Sequence, residues 1–388
     1  MALKPVAELL HQLVSIPSVN PSLADDPSIG GEARLAEFLA GHLERAGFKV
    51  DWHEATRGRP NVVGRYGPAQ PRRSILVESH LDTQGIHGMT VPPFAGGIRD
   101  GKLFGRGACD TKGPMAAALT ALDRPTLDAM AGAGIQLIYV GAMGEEKGNL
   151  GAEELVEVGI GADEALILEP TDLRVVHAHK GMLWFEVEIE GFAAHGSNPG
   201  LGVSAIRGMM RVVERIENLV DAEAKTHVHP VLGRPTVNIG LIRGGSSINI
   251  VPDRCVIEVD RRVLPGDTSE QILRQVGQEL DALKAKGDFS AWRIRKIKDG
   301  VPFETTAESA LVKRLLASCA GAGVPPCAEG AAWYSDAGPF SRTCKEVAVF
   351  GPGSIRQAHT VDEFIELSSL ESGMTILRSF FSELGSTS

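Results

Sequence analysis

Separated segments of this sequence carry histidines and carboxylates of the types that hydrolytic metal chemistry uses. His80-Leu-Asp82 follows an apolar run ending at Ser79, and Asp110 lies inside Gly105-Arg-Gly-Ala-Cys-Asp-Thr-Lys-Gly113. Glu145 and Glu146 are adjacent, after a run ending near Gly141. Glu169 directly follows Leu168, and His359 closes Gly351-Pro-Gly-Ser-Ile-Arg-Gln-Ala-His359. Imidazole and carboxylate are donors that suit zinc, and five of them with one bridging carboxylate hold two ions about 3.5–4 Å apart. Asp82 stands two residues from His80, where it can orient the imidazole. Glu145 and Glu146 point in different directions, so one can ligate while the other faces a metal-bound water. Each element alone is ordinary. A lone His-x-Asp is commonly a surface feature, a Glu-Glu pair a solvated face, and Asp110 a cap for the helix that follows.

Their shared placement is what carries the argument. Ser74–Ser79, Ile135–Val140, Ala165–Leu168 and Val347–Phe350 read as short buried strands. Glu32–Arg45, Lys112 to about Ala129, Ala152–Val158 and Leu367–Phe381 read as helices, with Gly47 suited to a C-cap and Pro114 tolerated in a first turn. Strand–helix alternation implies an α/β domain with a largely parallel sheet. Nearly every candidate ligand then falls at the carboxyl end of a strand, the edge where open α/β sheets bind ligands. The pattern changes near Gly181. Trp184–Glu190 alternates polar and apolar residues, Thr236–Ile242 and Arg254–Asp260 are further strands, and helices are expected from about Ser204 to Leu219 and Ser269 to Lys284. A small α+β domain, residues 181–293, is therefore expected to be inserted into a larger domain of residues 1–180 and 294–388.

The net charge of -10 argues against nucleic acid as a partner, and no polybasic membrane-binding segment is present. Met1–Leu10 reads as an amphipathic helix carrying Glu8, and no apolar stretch is long enough to span a bilayer. The five cysteines are odd in number and lack CxxC spacing, which fits a reduced, cytoplasmic compartment.

The chain resembles the dizinc metallopeptidase family of acetylornithine deacetylase, succinyl-diaminopimelate desuccinylase, aminoacylase and carboxypeptidase G. The resemblance runs from Ser15-Ile-Pro-Ser-Val-Asn-Pro21 to Gln357-Ala-His-Thr-Val-Asp-Glu363. It is carried by Ser79-His-Leu-Asp-Thr83, by Gly105-Arg-Gly with Asp110-Thr-Lys-Gly113, and by Gly144-Glu-Glu-Lys147. The ending Phe350–Thr360 is most similar to acetylornithine deacetylases. The resemblance implies that His80 and Glu169 bind one zinc, Glu146 and His359 the other, and that Asp110 bridges them. It makes Glu145 the general acid/base and Asp82 the support of His80, and it implies a cis Asp110–Thr111 peptide. Cobalt is expected to substitute for zinc.

In the inserted lid and dimerisation domain, His195 of Gly191-Phe-Ala-Ala-His-Gly196 matches an oxyanion-stabilising histidine supplied by the partner of a homodimer. Asn249 matches the lid motif, Arg262 a substrate-carboxylate binder, and Gly338 lies in a glycine-rich pocket loop, Ser335-Asp-Ala-Gly338. On residue type alone, His195 is an ordinary turn residue and Arg262 an edge-strand charge. His177 and His179 alternate along a strand and read as structural. The implied reaction is hydrolysis of a short N-acyl amino acid. A metallo-exopeptidase of the same family, a ligand-binding pseudoenzyme and a structural protein are the alternatives.

Overall fold

The computed structural model describes residues 3–386. The chain divides into two compact units. One comprises Met1–His177, Glu304–Glu329 and Ser335–Ser388, the other Ala178–Phe303 and Gly330–Tyr334. The second unit runs past the expected boundary at residue 293 because Ala291–Gly300 pairs antiparallel with Gly181–Glu190. This strand carries Arg293, Arg295, Lys296 and Lys298, so no apolar run announces it. Charge of this kind is common on edge strands, where it discourages pairing with other chains.

In the first unit the central sheet runs in the order Lys49–Thr56, Arg59–Tyr66, Ile135–Ala142, Arg73–His80, Glu164–Ile167 and Glu346–Val349. Arg73–His80 pairs parallel with Ile135–Ala142 and with Glu164–Ile167, which in turn pairs parallel with Glu346–Val349. These four strands therefore end at the same edge. The outer pairings, Lys49–Thr56 with Arg59–Tyr66 and Arg59–Tyr66 with Ile135–Ala142, are antiparallel. Ile75, Leu76, Val77 and the following residues through His80 are all buried, as expected of a strand covered on both faces.

Helix Ala33–Ala46 buries Leu35, Leu39 and Leu43 against this sheet and ends at Gly47, whose φ of 97° is a left-handed C-cap. Each such leucine contributes about 1.5–3 kcal/mol on burial. The helix expected over 112–129 is two: Lys112–Ala121 and Arg124–Gly132. Pro125 cannot donate to a continuing ladder, and Asp123 instead caps the second helix by accepting from Thr126 N at 3.1 Å. The amphipathic N-terminal helix begins at Pro5 and buries Val6, Leu9, Leu10 and Leu13; Met1 and Ala2 lie outside the described residues.

The second unit is a sheet in the order Thr236–Gly244, Arg254–Val263, Gly181–Glu190, Ala291–Gly300, covered by helices Ala205–Thr226 and Ser269–Ala285. Phe185, Val187, Ile189, Met209, Val212, Ile257 and Leu280 belong to its core. The first of these helices runs a further turn and more beyond the expected Leu219, burying Val220 and Ala224. No helix among the described residues is long and apolar enough to cross a membrane.

Candidate metal centre

The parallel strands deliver the acidic and histidine residues to one edge. His80 is the last residue of its strand, Glu145 and Glu146 follow Ile135–Ala142, Glu169 follows Glu164–Ile167, and His359 lies on the loop after Glu346–Val349. Asp110 immediately precedes helix Lys112–Ala121, and the Asp110–Thr111 peptide is cis. Gly351 lets the His359 loop pass closely over Glu169, since a Cβ there would stand 2.5 Å from the Glu169 carbonyl oxygen.

Two triads result, sharing Asp110. His80 Nε2 lies 3.0 Å from Asp110 Oδ1 and 3.9 Å from Glu169 Oε1. His359 Nε2 lies 3.3 Å from Asp110 Oδ2 and 3.0 Å from Glu146 Oε2. Within each triad the ligand atoms all lie within 4.8 Å of one another. The two oxygens of Asp110 thus face different histidines, the disposition of a bridging carboxylate. The donor set fits a pair of divalent cations on a further count: Glu146 Oε1 is buried without a hydrogen-bond partner, although a carboxylate oxygen is costly to leave so.

The electrostatics express the same demand for positive charge. Burial raises Glu169 and Glu146 above the ordinary carboxylate range, and the charge of Asp110 adds to it. Burial alone would lower His80, but its hydrogen bonds to Asp110 and Asp82 outweigh that and push it well up. His359, hydrogen-bonded to Asp110 and Glu146, is pushed up to about 10. Burial works against Asp110 as well, yet His359 and His80 hold it below its ordinary value.

Asp82 meets His80 chiefly through its backbone. His80 Nδ1 donates to the Asp82 backbone carbonyl at 2.9 Å, while the nearer carboxylate oxygen is 3.5 Å away. That donation fixes the proton on Nδ1 and leaves Nε2 of the neutral ring as the ligand atom. The Asp82 carboxylate instead accepts from Glu145 N at 3.0 Å, Glu146 N at 3.1 Å and Asn20 Nδ2 at 2.7 Å. It anchors the backbone that presents both glutamates.

Residue type did not single out several neighbours. Gln84 Nε2 donates to Glu146 Oε2 at 3.1 Å. Glu363, fully buried, accepts from Arg106 Nη1, Gly107 N, Cys109 N and Asp110 N at 2.7–3.0 Å. Asn20 and Glu363 each sit inside the outermost matching segments, and that position is the signal that points to them. Glu145 is half-buried; burial, followed by the charges of Asp336, Glu146 and Asp110, pushes its carboxyl well up against the opposing effect of His80. Its Oε1 accepts from Asn149 Nδ2 at 3.3 Å.

The remaining candidates are placed as follows. His195 and Asn249 belong to the second unit and are brought together there: Gly196 N donates to Asn249 O at 2.7 Å, and His195 pairs with Ile250 in a β-bridge. Ser197 N donates to His195 Nδ1 at 3.2 Å, and Ser197 Oγ lies 2.6 Å from the same nitrogen. An Nδ1 that accepts leaves the proton of the neutral ring on Nε2, exposed and able to donate. Arg262 is on strand Arg254–Val263, 3.1 Å from Asp260 Oδ2. Gly338 is buried in the single-turn helix Ala337–Phe340, its N–H taken by the Ser335 carbonyl. His177 Nδ1 donates to the Thr305 carbonyl at 2.7 Å, and His179 is packed against Phe303 and Tyr334.

Residues 177–288 match the model of a peptidase dimerisation domain. The chain is 32% identical over 358 residues to an acetylornithine deacetylase of Myxococcus xanthus, covering 89% of this chain and 90% of that one. Its fold is similar to that of a tripeptidase from Staphylococcus aureus (TM-score 0.80, 22% identity, 99% and 98% of the two chains). It is likewise similar to an M20 family metallo-carboxypeptidase from Sulfolobus solfataricus (TM-score 0.79, 20% identity, 99% and 100%).

Proposed function

This chain belongs to the M20 metallopeptidase family of the acetylornithine deacetylases, a family of amide-bond hydrolases, and from that premise we propose that it removes the acyl group from an N-acyl amino acid. The observation that carries the reading is the pair of triads sharing Asp110, with the half-buried Glu145 beside them. His80, Asp110 and Glu169 would hold one zinc, and Asp110, Glu146 and His359 a second, with cobalt as a substitute. Bound there, the ions would polarise the acyl carbonyl and make water acidic enough to attack near neutral pH.

The chain's own groups do the rest. Glu145 accepts the proton of the attacking water and passes it to the nitrogen of the leaving amine, so that the products are a carboxylate and a free amino acid. His195 Nε2–H donates to the developing oxyanion. Its loop does so for the partner's site in a homodimer formed through the second unit. In support, edge strand Thr236–Gly244 exposes Leu241 and Ile242, and Met210 is exposed on the covering helix. Arg262 reads the α-carboxylate of the substrate, a task suited to a planar guanidinium. Asn249 lies beside His195 on the same loops, and the backbone around Gly338 contributes to the pocket. N-acetylornithine is the leading single substrate. All five cysteines are free, in keeping with a cytoplasmic enzyme.

The test is chelation followed by reconstitution. Metal-free protein is expected to be inactive on a panel of N-acyl amino acids, and zinc or cobalt to restore turnover at two ions per chain. Activity in rigorously metal-free protein overturns the reading. Faster cleavage of dipeptides than of any acyl amino acid replaces it with an exopeptidase.

A further inference from the structure

Asn149 stands at the N-cap of helix Leu150–Glu157, yet its side chain makes no capping hydrogen bond. Asparagine is favoured at that position because its carbonyl accepts a first-turn N–H. Here the side chain is turned elsewhere. Its Nδ2 donates to Asp336 Oδ1 at 2.8 Å and to Glu145 Oε1 at 3.3 Å. One amide nitrogen has two hydrogens, and both are directed at carboxylates. Asn149 is 1% exposed and Asp336 is fully buried. The backbone at Asn149 is left-handed, with φ 54°, a conformation asparagine tolerates better than most residues.

The arrangement bears on what is free to move in Glu145. Its backbone N–H is already fixed by Asp82 at 3.0 Å, so the side-chain torsions are the remaining freedom. Asn149 restrains them by engaging one carboxylate oxygen. Asp336 fixes Asn149 from a loop far away in sequence.

We propose that Asn149, held by Asp336, is a positioning residue for Glu145: it occupies one oxygen of the carboxylate and leaves the other directed to proton transfer. This rests on the reading of Glu145 as the proton carrier. A displacement of about 1 Å at such a group costs on the order of 10²-fold in rate, which makes the restraint consequential.

The experiment is a set of variants of the metal-loaded enzyme. Asn149→Gly keeps the left-handed backbone and removes the amide; glycine is nearly as good as asparagine at an N-cap, so the fold is retained. Expected are a kcat lowered about 10- to 100-fold, KM within about threefold and unchanged metal content, with a melting temperature lowered no further than in Asp336→Asn. Asp336→Ala loses kcat to a similar extent, and the double variant Asn149→Gly/Asp336→Ala loses no more than either, because the two act as one unit. Asp336→Asn keeps an oxygen facing Asn149 and recovers most of the turnover. A crystal structure of Asn149→Gly shows the Glu145 carboxylate in more than one rotamer. Undiminished kcat in Asn149→Gly, or a loss that merely follows metal release or melting temperature, overturns the proposal. Glu145→Gln separates the two levels of inference. If that variant keeps its turnover, the proton-carrier reading fails; if it is inactive while Asn149→Gly is fully active, only the positioning role fails.

Discussion

Glu363 Oε1 accepts the backbone N–H of Asp110 at 3.0 Å, across 253 residues of sequence. The same carboxylate also takes the N–H groups of Gly107 and Cys109 and the guanidinium of Arg106. One buried side chain therefore fixes the turn from which Asp110 faces both histidines.

Removing it is expected to damage fold and site together. Glu363→Ala leaves the Arg106 guanidinium buried without its carboxylate, and breaking such a pair costs about 3–5 kcal/mol. Urea unfolding measures that loss, and metal analysis of the purified variant is expected to show less than the full complement. Unchanged stability and metal content would mean that the Asp110 turn holds itself.

Glu145 is expected to be separable from metal binding. Glu145→Gln keeps the size and the Asp82 backbone anchor, so both ions are retained while turnover falls by about 10²–10⁴-fold or more, because one group serves as both base and acid. Metal content and kcat measured on the same sample decide the matter. Near-normal turnover points to another group that activates the water.

A homodimer completed by His195 predicts complementation. Glu145→Gln and His195→Ala chains, each inactive alone, are expected to regain partial activity when mixed, since one kind of site in the mixed dimer is intact. Isolated mixed dimers with no activity, or a fully active monomer, count against a shared site.

Lys112 predicts a pH dependence of stability. Burial brings its ammonium from the ordinary 10.5 down to about 7, while its Nζ donates to the Ile16 carbonyl at 2.7 Å. Between those pH values the unfolded chain holds a proton that the folded chain does not. Stability from this residue therefore rises with pH across that window and is lost as pH falls toward 7. In urea unfolding of metal-free protein, the wild type is expected to gain on Lys112→Met from about pH 7 to pH 10. A constant difference between the two would show that Lys112 stays charged in the fold.

Much of this molecule is legible in the chain. Buried parallel strands must be apolar on both faces, so Arg73–His80 and Ile135–Ala142 stand out as runs, and the charged residues just beyond them mark the sheet edge. The break between the two helices over 112–132 was missed although Asp123 and Pro125 mark it in the chain, as an N-cap and a first-turn proline. The strand Ala291–Gly300 was hidden by its charges, which an edge strand accommodates without cost to a core.

Residue types and spacing by themselves determined which groups stand at the strand ends, because strand period and turn chemistry are local properties. Only the tertiary structure decided how those groups are used. It assigned the Asp82 carboxylate to the backbone of Glu145 and Glu146 rather than chiefly to the His80 ring. It brought Glu363 under Asp110 and joined Asn149 to Asp336. The physical reason is that a buried carboxylate takes whichever donors the packed chain brings within about 3 Å, and those donors come from distant loops whose approach no local pattern encodes.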